Sequence, residues 1–241
     1  MKAFNRVENL IGKENLQILR SSSVALFGVG GVGGCVAEAL VRSGIGKIAV
    51  FDSDTVDETN INRQVIATVN TVGQDKVEVI KERLLSINPN LIIETYKVFY
   101  LKENADQYDL SKYDYIIDAV DTVSAKLEII SRAKALGKMV ISCMGTGGKL
   151  QIEGLKVADI SKTSGCPLAR VMRRELKKRN LSDVKVVYST EDAQKNSTDN
   201  AEGDRVPPSM IFVPMAAGLY IAREVVFDLI KNKNSVTKPN I

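Results

Sequence analysis

Gly28, Gly30 and Gly33 follow an apolar run at 24–27 and precede a segment of helical period. At that spacing, backbone amides and a helix N-terminus can receive phosphate. Asp52 ends the next apolar run, about 20 residues on, where a carboxylate can bind ribose hydroxyls. Taken alone, these residues fit an NAD enzyme as well as any other nucleotide site. The discriminating cluster is Asp52, Asp54, Val56, Asn60, Asn62, Arg63 and Gln64, followed by Lys76 on the next helix. An NAD enzyme has no use for so much positive and amide character there. An enzyme that cleaves a triphosphate does, because Arg and Lys must neutralise charge developing on the α-phosphate and the departing pyrophosphate. The competing account is a surface loop whose Arg63 pairs with a carboxylate. Asp118 and Asp121 end a further apolar run, at the edge where open α/β sheets bind ligands. Either could hold Mg²⁺ beside phosphates or cap the following helix; Asp121 is the favoured metal ligand, with Asp118 in support.

The elements that must position these residues are legible as alternating strand-length and helix-length segments, which predict βαβ units and a parallel sheet. Strands are expected at 24–27, 47–51, 91–98, 113–119 and 139–143. A helix from 35 to 42 is stopped by Ser43 and Gly44. A second helix opens on a capping box at Thr71 to Gln74 and buries Val77, Ile80, Leu84 and Ile87. A third spans about 124–136. Beyond Gly145 the alternation fades into a short hairpin at 150–157 around Glu153 and Gly154, a basic helix at 167–179, a strand at 184–188, a long polar loop at 191–209 and a final helix at about 214–231. The expected fold is α/β: a doubly wound, Rossmann-like, mostly parallel sheet with a C-terminal extension. We expect a single domain over 1–241, with a nucleotide-binding core at 22–145 and a substrate-side extension at 146–241.

Composition excludes several chemistries. The 241 residues include no His and no Trp. Catalysis by Ser-His-Asp or Cys-His, histidine zinc sites and an imidazole switch are therefore ruled out. The three cysteines, Cys35, Cys143 and Cys166, are odd in number and lack CxxC spacing, which argues against a disulfide framework and a four-thiolate zinc site. A reducing cytoplasm fits best. The charged N-terminus lacks the apolar core of a signal peptide, and the apolar stretch at 210–222 is shorter than the roughly 20 residues of a membrane helix. No membrane association is expected. The formal net charge of +4 is a weak pointer to an anionic partner.

The combined pattern resembles the adenylating enzymes related to ubiquitin activation, which include the molybdopterin-pathway and thiamine-pathway sulfur-carrier adenylyltransferases. The likeness runs through Phe4-Asn5-Arg6, the 28–33 glycine loop, Asp52-x-Asp54-x-Val56, Asn60-x-Asn62-Arg63-Gln64, Val72-Gly73-Gln74-x-Lys76-Val77-Glu78, Ile87-Asn88-Pro89 and Asp118-Ala119-x-Asp121. Within that group it is strongest to the tRNA threonylcarbamoyladenosine dehydratases. There the cues extend to Ile117, Thr122, Gly145-Thr146-Gly147-Gly148, Asp159-Ile160-Ser161-Lys162-Thr163 and Tyr188-Ser189-Thr190-Glu191.

That resemblance implies an enzyme using ATP and Mg²⁺ to act on tRNA carrying threonylcarbamoyladenosine. The Gly28, Gly30, Gly31 and Gly33 loop would take phosphates, Asp52 the ribose, and Asn60, Arg63, Gln64 and Lys76 the polyphosphate. Asp121 would hold Mg²⁺, with Asp118 among the cofactor-binding residues. Arg6 would reach across a homodimer to the partner's ATP, making Arg6, Arg63, Lys76 and Asp121 the catalytic set. The carboxylate on the tRNA would attack the α-phosphate, and attack within the tethered group would then close a ring, expelling AMP without a protein nucleophile. The rival is activation of the C-terminal glycine of a small sulfur-carrier or ubiquitin-like protein, with sulfur-transfer proteins as partners. Cys166, at the start of a basic helix, would be its acyl acceptor, or simply a small apolar side chain. The basic run Arg170, Arg173, Arg174, Lys177, Lys178 and Arg179 is either a tRNA phosphate contact or a solvated helix face. Cys35 and Cys143 are expected in the core. An NAD-linked redox enzyme leaves Arg63, Lys76 and the paired aspartates unexplained.

Overall fold

The computed structural model describes residues 2–194 and 207–237. Its centre is a seven-stranded sheet in the order β3-β2-β1-β4-β5-β7-β6. The strands are β1 (Ser23–Phe27), β2 (Lys47–Phe51), β3 (Ile92–Tyr96), β4 (Tyr115–Asp118), β5 (Met139–Cys143), β6 (Leu155–Asp159) and β7 (Lys185–Ser189). All neighbours pair in parallel except β6 with β7. The order reverses between β1 and β4, so a crevice opens beyond their carboxyl ends.

Alternation along the strands divides the core. Val24, Leu26, Val50 and Ile117 face one layer, while Ala25, Phe27, Ala49 and Ile116 face the other. The first layer contains α3 (Gly33–Arg42), α4 (Lys76–Ile87) and α7 (Phe212–Thr237); the second contains α5 (Val123–Ala135) and α6 (Pro167–Lys178). Helix α7 presents Val213, Ala217, Ile221, Val225 and Leu229, each fully buried, at the four-residue spacing of one helical face. Burying each branched side chain contributes about 1.5–3 kcal/mol. Gly218 allows α7 to close on α3, since a Cβ there would lie 2.8 Å from the Cys35 Cβ.

Several elements differ from expectation. Two N-terminal helices, α1 (Asn5–Ile11) and α2 (Lys13–Ser21), are not among the elements expected from the sequence; α1 buries no residue, and α2 buries only Leu16 and Leu19. The helix expected from Thr71 begins at Lys76. The Thr71 hydroxyl is instead spent on the Ile66 carbonyl at 2.8 Å and the Thr68 amide at 2.8 Å, closing a turn. Residues 150–157 form no hairpin: a 3-10 turn at Ile152–Gly154 leads into β6, whose antiparallel partner is β7. The final helix is longer at both ends than the apolar pattern predicts. The loop expected at 191–209 lies partly outside the described residues. Among the described residues no helix is long and apolar enough to cross a membrane.

Candidate nucleotide and carboxylate site

The crevice is a cavity of about 630 Å³ beyond the carboxyl ends of β1, β4 and β5. Its first wall is the loop between β1 and α3. Gly28 has φ +85°, and a Cβ there would stand 2.8 Å from the Ala119 carbonyl oxygen. Only glycine accommodates that approach. Gly33 lies beneath the loop, where a Cβ would fall on the Gly28 carbonyl, so it sets strand–helix packing and does not line the cavity. The amides of Gly30, Gly31 and Val32 make no hydrogen bond among the described residues, and they stand at the N-terminus of α3. That is the arrangement an anion seeks.

Asp52, at the end of β2, accepts from the Val29 amide at 2.7 Å and the Asp54 amide at 2.9 Å. Burial raises its pKa above the ordinary aspartate value, against the pull of those amides and of Lys76. The following loop is ordered by backbone bonds from Val56 to Gln74 and from Lys76 to Asp54, at 2.8 and 3.0 Å. It delivers Asn60, Arg63, Gln64 and Lys76 to the cavity wall. Arg63 is held by the Thr59 carbonyl and the Asn62 side chain, both at 2.9 Å. The Asn60 side chain closes a capping turn by accepting from the Asp57 amide at 3.3 Å. Lys76 is nearly buried and pairs with Asp54 at 2.8 Å. Gln64 is buried, and its Oε1 has no partner among the described residues.

Asp121 is exposed, lines the cavity and has no cation within 4 Å among the described residues. Asp118 does not reach the cavity. It is fully buried, bound to Lys126 at 2.9 Å and to the Ser142 hydroxyl at 2.5 Å. Lys126, also fully buried, donates to the carbonyls of Val120 at 3.0 Å and Cys143 at 2.6 Å. The pair thus ties the turn carrying Asp121 to the end of β5. Arg6 is exposed on α1 and is not part of the cavity wall in a single chain.

Three contributors are not anticipated from the sequence. Tyr100, with Val98 and Phe99, forms an apolar wall beside Phe27 and Phe51, and its buried hydroxyl has no partner among the described residues. Burial pushes its pKa up to about 12. Lys126 carries a local signal, as a lysine on the buried face of α5 between Ala125 and Leu127. Lys149, which is nearly buried, directly follows the glycine-rich 145–148 segment. Cys166 is buried at the start of α6 and lines the same cavity; Cys35 and Cys143 are buried, and burial raises their thiol pKa values to about 11 and about 12.

The chain matches the ThiF family over residues 4–238. A tRNA threonylcarbamoyladenosine dehydratase of Bacillus subtilis is 41% identical over 241 residues, covering 95% of each chain. The Escherichia coli tRNA N6-threonylcarbamoyladenosine dehydratase solved in complex with ATP superposes with a TM-score of 0.89 at 29% identity, covering 97% of this chain and 96% of that one. A sulfur carrier protein adenylyltransferase of Thermus thermophilus is 35% identical over 131 residues, covering 54% of this chain and 48% of its own. The chain belongs to the ThiF family.

Proposed function

We propose that this ThiF-family chain catalyses ATP-dependent dehydration of N6-threonylcarbamoyladenosine in tRNA by adenylating its carboxylate. The observation that carries this reading is likeness to dehydratases along the whole chain, in contrast to likeness over about half of it to a sulfur-carrier adenylyltransferase.

The cavity fits ATP on its own terms. It offers glycine amides for phosphates, the Asp52 carboxylate for ribose, an apolar wall carrying the buried Tyr100 hydroxyl and, from the loop after β2, the buried Gln64 Oε1, both without partners among the described residues. Arg63 and Lys76 line the same cavity and, against charge building on the α-phosphate and pyrophosphate, would stabilise the transition state more than the ground state. Asp121, an exposed carboxylate without a cation, suits Mg²⁺, which takes one or two carboxylates and completes its shell with water and phosphate. When bound, Mg²⁺ supplies neutralisation of phosphate charge. The substrate carboxylate attacks the α-phosphate and displaces pyrophosphate. An atom tethered in the same group then attacks the activated carbonyl and expels AMP; proximity replaces a protein nucleophile. Cys166 is thereby left to packing.

Arg6, exposed and away from its own cavity, supports a homodimer in which it serves the partner's site. Entry of β6 and β7 into the same sheet as β1 to β5 supports one domain over 1–241. A cytoplasmic location follows from a tRNA substrate, and sulfur-transfer proteins belong to the rival reading as partners. The test is incubation with ATP, Mg²⁺ and tRNA bearing the modified nucleoside, followed by nuclease digestion without alkali and mass analysis. ATP-dependent loss of one water from the nucleoside is expected. An unchanged nucleoside, alongside pyrophosphate exchange driven by a glycine-tailed protein, would replace this reading with the sulfur-carrier one.

A further inference from the structure

Among the cations lining the cavity, Lys149 stands apart. Lys76 is matched by Asp54 at 2.8 Å, and Arg63 is partly solvated beside the glycine loop. Lys149 is 4% exposed, donates to a single acceptor, the Ser189 carbonyl at 3.2 Å, and has no carboxylate within 4 Å among the described residues. An ammonium taken out of water and given one neutral acceptor is costly unless an anion completes it. Its position is nevertheless firmly set. The Gly148 amide donates to the Pro208 carbonyl and the Gln194 amide to the Gly148 carbonyl, both at 2.6 Å, and Gly148 adopts φ +69°.

The strand order gives Lys149 a direction as well as a charge. The glycine loop leaves β1, Asp121 follows β4, Lys149 follows β5, and its acceptor Ser189 ends β7. With strands about 4.8 Å apart, Lys149 stands on the order of 10–15 Å along the sheet from the phosphate end, with Asp121 between them. Nucleotide and second substrate would therefore enter from opposite sides of Asp121. The second substrate must bring a carboxylate past Asp121 and up to a polyphosphate, and that approach is repulsive unless a cation offsets it.

We propose that Lys149 binds the carboxylate that becomes adenylated, receiving it on the β5–β7 side of the cavity from which it moves up to the α-phosphate. The inference rests on the dehydratase reading and names the substrate subsite of that same cavity. It assigns Lys149 to recognition of a tRNA-borne carboxylate, the group a peptide C-terminus would also present.

The experiment compares wild type, Lys149→Gln and Lys149→Arg with a non-hydrolysable ATP analogue bound. The ligands are an anticodon stem-loop carrying threonylcarbamoyladenosine and the same stem-loop with its carboxylate capped as a methyl ester. Wild type is expected to prefer the free acid by about 10-fold or more, since charge-assisted bonds are about twice as strong as neutral ones. Lys149→Gln should bind both about equally, with unchanged affinity for the ATP analogue, and Lys149→Arg should restore part of the preference. Should Lys149→Gln fail to fold, wild type and Lys149→Arg decide in its place: preference for the acid in both supports the inference, and equal binding of acid and ester by wild type overturns it. Full preference in a folded Lys149→Gln would overturn the inference while leaving the function intact. So would a fall in ATP-analogue affinity equal to the fall in stem-loop affinity, which marks a structural lysine. A wild type that converts neither this stem-loop nor modified tRNA, yet exchanges pyrophosphate with glycine-tailed peptides, would overturn the function and this assignment together.

Discussion

The two ends of the sheet handle charge differently. At the amino end, Lys185 of β7 donates to Asp228 at 2.7 Å and to Glu224 at 3.0 Å, and Tyr115 of β4 donates to the same Asp228 at 2.7 Å. Burial works to lower the Lys185 pKa, but its carboxylate partners outweigh it and raise the value. At the carboxyl end, Tyr100 Oη and Gln64 Oε1 are buried without partners, and Asp121 and Lys149 lack opposite charges among the described residues. Both clusters gather polar groups on one sheet, yet only the first completes itself. Since buried polar groups in folded proteins are nearly always paired, a self-completed cluster holds the fold and an incomplete one is shaped around a ligand. Asp118 and Lys126 sharpen the distinction. They lie at the carboxyl end but satisfy each other, so they support the site from beneath.

Substitutions can break this contrast. Lys126→Met removes one partner of a fully buried pair and leaves the Asp118 carboxylate uncompensated; we expect a loss of about 3–5 kcal/mol in denaturant unfolding. Unchanged stability would show that the pair is not what ties β4 to β5. Arg63→Ala should lower the rate of pyrophosphate release by about 10²–10³-fold, with the unfolding midpoint within error of wild type. Near-normal release would take Arg63 out of the site and weaken the idea that the incomplete end is catalytic.

Asp228→Asn tests the opposite end. Losing charge from a matched cluster should cost about 1–3 kcal/mol of stability and leave turnover per folded molecule unchanged. A selective loss of turnover would mean that the amino end takes part in function after all. The smallest effect is expected from Cys166→Ala, which trades one buried small side chain for another. It should cost about 1 kcal/mol of stability and leave dehydration intact, whereas a folded, inactive variant would restore the acyl-acceptor role of the rival reading.

Much of the carboxyl end is visible in the sequence because its signals are local. Glycine spacing, a strand-end aspartate and the Asn60 to Gln64 cluster sit within short windows, and the structure brings Gly28, Gly30, Gly31, Asp52, Arg63, Gln64, Lys76 and Asp121 to one cavity. What escapes depends on packing between distant segments. Whether Asp118 faces a ligand or Lys126 is decided by α5 folding back over β4. Tyr100 reaches the cavity only because the segment after β3 curls beside Phe27 and Phe51. Helix α1 buries no residue and α2 buries only Leu16 and Leu19 in a short nine-residue span, and β6 cannot be distinguished from a hairpin until β7 claims it.

The central claim is that the substrate's own carboxylate oxygen attacks the α-phosphate. Labelling that carboxylate with ¹⁸O, supplying unlabelled ATP and analysing the nucleotide products by mass tests it most directly. One ¹⁸O atom should appear in AMP for each ring closed, because the expelled nucleotide carries away the oxygen lost from the carboxylate. Label in inorganic phosphate with ADP as co-product, or label in neither AMP nor phosphate, would contradict adenylation and with it the roles assigned to Arg63, Lys76 and Asp121.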